Sequence, residues 1–201
     1  MKQFIFFNLL MASFLSCKET PKTPVKVPAS TPVVTSKDTL IGMKGCDNAK
    51  FDGKMFTYPS AKVVVKANPN EEAGESIEVN GVAITSKVGS AYHFNGVYKN
   101  FLFIDDGTGT NGRHLGIWDI QAKKIIFETP YEGELTLVGG KVGFLTPIDL
   151  TKVKLSKPIA CPNKAKWEKE DLSIGYGVPH QYDLAKLTDA VAGDIVCFAM
   201  Q

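Results

Sequence analysis

Ile77-Glu78-Val79-Asn80-Gly81-Val82-Ala83-Ile84-Thr85 decides the fold. Apolar and polar residues alternate on both sides of an Asn-Gly pair, which supplies two successive positive-φ positions at little steric cost. The stretch predicts a tight β-hairpin. Tyr92-His93-Phe94-Asn95-Gly96-Val97-Tyr98 carries the same pair and predicts a second one. Residues 135–144 predict a third around Gly139-Gly140, and 115–128 a fourth around the connection 121–124. Val63-Val64-Val65 and Phe101-Leu102-Phe103-Ile104 lack alternation, as strands covered on both faces do. Residues 163–172 predict the one helix, with Asn163 as N-cap, and 194–200 a closing strand.

The fold class that follows is all-β: an antiparallel sandwich or barrel-like domain with one short helix, spanning residues 39–201. Composition agrees. The 201 residues are 44% hydrophobic, with 18 Gly, 11 Pro and 12 Phe. That excludes a disordered tail, a collagen and a multi-span membrane protein.

The first 38 residues have a different character. Met1-Lys2-Gln3 is followed by an apolar run from Phe4 to Phe14, then Leu15-Ser16-Cys17. The run is shorter than the roughly 20 residues a membrane-spanning helix requires and has the layout of a signal peptide. Phe14-Leu15-Ser16-Cys17 resembles the lipobox of bacterial lipoproteins, with Phe14 where Leu is more usual. The resemblance implies cleavage after residue 16, acylation of Cys17 and attachment to a lipid bilayer. Lys18 rather than Asp after the cysteine implies an outer-membrane destination in the cell envelope. Residues 17–38 then form a lipidated start and a linker, with Pro21, Pro24, Pro28 and Pro32 among Thr, Lys and Val. Such composition favours extended polyproline-like chain, so the 21 residues 18–38 reach at most about 65 Å.

Charge separates tether from domain. Residues 18–38 hold four Lys against Glu19 and Asp38, a surplus of +2, whereas 39–201 hold 18 basic and 19 acidic residues, or −1. A nearly neutral domain excludes a phosphate-backbone binder, so no nucleic-acid partner is expected.

Cysteine arithmetic assigns a disulfide. With Cys17 lipidated, Cys46, Cys161 and Cys197 remain in an oxidising compartment. Cys161 with Cys197 is the expected pair, since it ties the helical excursion to the terminal strand. The spacing alone leaves Cys46 open as a partner of either.

Candidate ligand contacts lie in two segments. Gly107-Thr108-Gly109-Thr110-Asn111-Gly112 matches G-x-G-x-x-G, but a strand-like stretch follows it where a dinucleotide site needs a helix. Asp105 and Asp106 precede these glycines without the alternating acidic pattern of a calcium loop. Arg113, the sole arginine, closes the loop and is placed to brace Asp105 or Asp106, or to meet a ligand together with them. In the second segment, Gly175-Tyr176-Gly177-Val178-Pro179-His180 reads as a flexible loop presenting Tyr176 and His180. His93, His114 and His180 are scattered, which disfavours zinc, and no catalytic or cofactor motif is present. The expectation is an anchored, non-catalytic binding or inhibitory module for an envelope protein or cell-wall ligand. The alternatives are a hydrolase assembled from distant strands around His180 and Asp183, and a structural component of an envelope complex.

Overall fold

The computed structural model describes residues 42–67, 74–85, 91–107, 112–155 and 157–200. The leader, Cys17 and the proline-rich linker lie outside them, as does the glycine-rich stretch 108–111. All described residues belong to one compact unit.

The first sheet is an antiparallel meander of β1 (Lys50–Phe51), β2 (Phe56–Thr57), β3 (Lys62–Ala67), β4 (Glu75–Val79) and β5 (Val82–Ile84), hydrogen-bonded in that order. Asn80 at φ 50° and Gly81 at φ 79° form the predicted turn between β4 and β5. The second sheet runs β6 (Tyr92–Tyr98), β7 (Phe101–Asp106), β8 (Arg113–Asp119), β9 (Lys124–Val138), β10 (Lys141–Pro147) and β11 (Ser173–Asp183). Two short strands share the outer edge of β11. β12 (Thr188–Val191) pairs with its C-terminal part and β13 (Val196–Met200) with its N-terminal part. Gly139 and Gly140, at φ 60° and 78°, make the predicted β9–β10 turn.

Strand β9 organises the layers. Its first half pairs with β8 and its second half with β10, so it changes partners along its 15 residues. Apolar side chains consequently gather in two cores. Leu102 and Ile104 of β7 join Val63, Ile77 and Val79 of the first sheet. Phe103, between them, points the other way and packs with Leu115, Ile117, Leu137, Val142 and Phe144. β7 is thus covered on both faces, as its unbroken apolar run predicts. Each fully buried side chain of this kind contributes roughly 1.5–3 kcal/mol. The architecture is the expected antiparallel β-sandwich.

Cys161 and Cys197 form a disulfide with Cα atoms 5.6 Å apart, tying the segment before helix α1 (Lys164–Lys169) to β13. Cys46 is a free, half-buried thiol, and its pKa is pushed up to about 12, by burial first and by the Asp47 charge second. A thiol so held stays protonated and unreactive.

Three sequence expectations need correction. Asn95-Gly96 is no turn. β6 runs straight through it with a bulge between Phe94 and Val97, and the chain reverses later at Lys99, where φ is 52°. The bulge accommodates residues 42–47 instead: Met43 donates its amide to Asn95 O (3.0 Å) and Asp47 donates to Val97 O (2.7 Å). Gly96 has φ 107°, and a Cβ there would lie 2.6 Å from Cys46 Sγ, so both conformation and space demand glycine. Residues 175–180 are no loop either, but the middle of β11. A Cβ on Gly175 would lie 2.6 Å from the Phe198 ring, and one on Gly177 2.6 Å from Leu145 Cγ, so these glycines admit neighbours rather than confer mobility. Pro179, lacking an N–H, sits where β13 has ended and β12 has not yet begun to pair. Finally, α1 is shorter than predicted, and the Asn163 side chain makes no cap. With ψ near 3° it lacks the extended geometry that aims a capping oxygen at the first amides.

Candidate functional site

The structure brings Asp105 and Arg113 together at one end of β7 and β8. Arg113 donates Nε to Asp105 Oδ1 at 3.0 Å and its NH2 nitrogen to Asp105 Oδ2, a bidentate pair. Tyr131 of β9 donates its hydroxyl to Asp105 Oδ1 at 2.9 Å, and the guanidinium lies 5.1 Å from the Tyr131 ring centroid. The Asp105 hydrogen bonds are the main reason the Arg113 pKa rises. Burial, then the Asp105 charge, raises Tyr131 above its ordinary 10.0. Stability from that phenol's proton is therefore complete at neutral pH and declines once pH climbs past this value. Asp105 is buried, with a side chain only 10% exposed. Nearby Glu132, also buried, accepts the Gly112 amide at 3.2 Å. These carboxylates brace the ends of the β7–β8 hairpin. Asp106 faces the opposite side of the sheet, in register with His114 and Tyr92, and takes no part in the brace.

Tyr176 and His180 stand on β11, apart from that cluster. Tyr176 pairs in register with Cys197. His180 stacks on Phe144 (centroids 5.6 Å, 21°) and places Nδ1 2.8 Å from Asp189 Oδ2. The carboxylate meeting His180 is Asp189 of β12 and not Asp183, whose Oδ1 accepts the Ala185 and Lys186 amides of a turn. Among the described residues no serine, threonine or cysteine hydrogen-bonds to His180. No group of three His, Cys, Asp or Glu side chains there is arranged to hold a metal ion.

Sequence reasoning missed a different feature, on the first sheet. Phe51 is 53% exposed and stacks on Phe56 (4.4 Å, 20°), which lies 6.2 Å from Phe94 at 9°. This aromatic row lines an open groove of about 750 Å3, with Met55, Val64, Val65 and Ala67 contributing further apolar surface. The volume falls within the roughly 300–1,000 Å3 of ordinary ligand clefts. A readable signal was present: Asp52-Gly53 between Phe51 and Phe56 is a tight-turn pair flanked by aromatics. Gly53 has φ 91°, and Asp52 Oδ1 accepts the Lys54 and Met55 amides at 2.9 and 2.8 Å. Those amides, the Lys54 one foremost, lower the Asp52 pKa.

The groove follows an open strand edge. β3 pairs with β4 from Val63 to Ala67, but with β2 only at Lys62 and Val63. Tyr58 donates its amide to Ala61 O (2.8 Å) on the β2 side, and Asn80 donates to Lys62 O (2.8 Å) on the β4 side. Antiparallel ladders alternate, so residues 61, 63, 65 and 67 direct N–H and C=O away from β4. Past Val63, the amides and carbonyls of Val65 and Ala67 meet no strand among the described residues. Charges at the rim are unequally engaged. Asp52 is tied into its turn, and Glu75 Oε2 accepts the Phe94 amide at 2.7 Å. Lys54 and Lys66 line the same groove without an ion-pair partner among the described residues.

No protein-family model matches this sequence, and no curated protein or solved structure matches it.

Proposed function

We propose that the chain is a lipid-anchored protein of the bacterial cell envelope, attached through acylated Cys17 to the outer membrane, whose β-sandwich binds a protein or cell-wall ligand without catalysing a reaction. The lipobox-like Phe14-Leu15-Ser16-Cys17 supports the anchoring. The exposed Phe51 ring, stacked on the buried Phe56 beside an open apolar groove, carries the binding reading, because water-facing aromatic surface next to a cleft is what ligand capture uses. The charged cluster at Asp105 and Arg113 serves less well as a ligand site, since its hydrogen-bonding groups already engage one another. Among the described residues no nucleophile partners His180 and Asp189, which weighs against the hydrolase.

Two measurements on the full chain in its membrane test this. Intact mass is expected to show acyl chains on Cys17 and, of the four cysteines in the sequence, a free thiol at Cys46 alone. A Cys17→Ser variant is expected in the soluble fraction. Recovery of unacylated wild-type protein, cut elsewhere, would overturn the anchoring. A photo-crosslinking amino acid at position 51 is expected to trap an envelope component, and one at Val138, 76% exposed, is not. Equal trapping at both positions, or at neither, would overturn the binding reading.

A further inference from the structure

We infer that the groove is a strand-addition site: an extended segment of a partner protein, carrying acidic residues beside large apolar ones, pairs with β3 at Val65 and Ala67. The inference rests on the binding-module reading and specifies its partner. The reason for a polypeptide lies in the backbone. Val65 and Ala67 together offer two N–H donors and two C=O acceptors in ladder alternation, and an extended peptide satisfies all four at once. A sugar chain stacks on aromatic rings but does not repeat donors and acceptors at that spacing. The lane, open among the described residues, continues the line of β2, which leaves β3 after Phe56 and turns away through Asp52–Met55.

Side chains narrow the sequence. In a strand laid along β3, alternate residues face the wall of Phe51, Phe56 and Phe94, which selects bulky apolar groups. Lys54 and Lys66 flank the lane, while the carboxylates of Asp52 and Glu75 are engaged by backbone amides. Asp52 and Glu75 balance the two lysines in net charge, but the two ammonium groups have no ion-pair partner among the described residues, which favours glutamate or aspartate in the ligand.

The test uses the full chain purified in detergent and a fluorescein-labelled octapeptide alternating glutamate with valine and phenylalanine. Saturable anisotropy is expected. Ala67→Pro deletes an amide that β4 does not use at an exposed edge position, where proline is tolerated. It is expected to weaken binding about tenfold or more, as is N-methylation of alternate peptide amides. Phe51→Ser, at an exposed position, checks the wall independently and is expected to weaken binding severalfold. Replacing the peptide's glutamates by lysine is expected to do the same.

Equal affinity for the N-methylated peptide, or an unaffected Ala67→Pro variant of unchanged melting temperature, would overturn strand addition. So would chitohexaose binding the groove where the octapeptide does not. Sedimentation showing a dimer that Ala67→Pro dissolves would assign the edge to a second copy and overturn the partner peptide. If the peptides fail while crosslinking from position 51 still traps a component, binding stands and strand addition falls. If crosslinking is silent as well, both fall.

Discussion

Along the outer edge of β6, the Phe94 amide meets Glu75, Gly74 bridges to Tyr92, Asn95 O accepts from Met43 and Val97 O accepts from Asp47. Asp47 also accepts the Lys99 amide at 2.6 Å. Along β3 beyond Val63, the same kinds of backbone group face a groove. Both are edges of antiparallel sheets, and an unpaired edge is a template for a further strand. The β6 edge is closed by residues as far as 52 positions away in sequence, and that closure requires glycines. Among the described residues the β3 edge is guarded by its shortness and by Lys62 and Lys66, devices that discourage indiscriminate pairing without covering Val65 and Ala67. Exposure at β3 is therefore a local property of one sheet and not looseness of the described domain.

Breaking the closed edge should have the largest effect. Gly96→Val forces a β-branched residue into a positive-φ bulge and against Cys46 Sγ, and is expected to cost roughly 3–5 kcal/mol. Chemical denaturation measures it, and a loss below about 1 kcal/mol would mean that residues 42–47 do not pack as described. Next comes the edge of β11, held by β13 and the disulfide. The paired substitution Cys161→Ser and Cys197→Ser should cost about 3–4 kcal/mol in the chain-entropy view, read by thermal melting under non-reducing conditions. An unchanged melting temperature would show that β13 stays on β11 without it.

The Asp105 brace comes third. Arg113→Ala strands a buried carboxylate, and the cost should be about 2 kcal/mol, below that of a fully buried pair because the guanidinium side chain is 34% exposed. This reverses the expectation for a ligand-contacting Arg113, whose loss would spare stability. The smallest effect belongs to the open edge: Ala67→Pro should change stability by less than about 0.5 kcal/mol. A large loss there would mean that the β3 edge is already paired in the free protein.

Hairpins whose turns are decided locally were legible in the sequence. Asn80-Gly81 and Gly139-Gly140 need nothing beyond their own positive φ and flanking strands. Asn95-Gly96 carries the same letters, yet residues about 50 positions away dock on it, and no local pattern reports that. Gly175 and Gly177 misled for a related reason, because the ring of Phe198 and the side chain of Leu145 that require them come from other strands. The Cys161–Cys197 pair was legible because few cysteines competed. At the candidate site, Asp105 with Arg113 was legible as a brace, whereas the groove depends on β2 ending two residues into its pairing with β3.

Amide hydrogen exchange, followed residue by residue by NMR in the full chain, tests the open edge most directly. In the free protein the Val65 and Ala67 amides should exchange fast while those of Phe94 and Asp47 are protected, and saturating octapeptide should slow the first two about tenfold or more. Val65 and Ala67 amides protected before any peptide is added, or unchanged when the peptide is bound, would contradict the account.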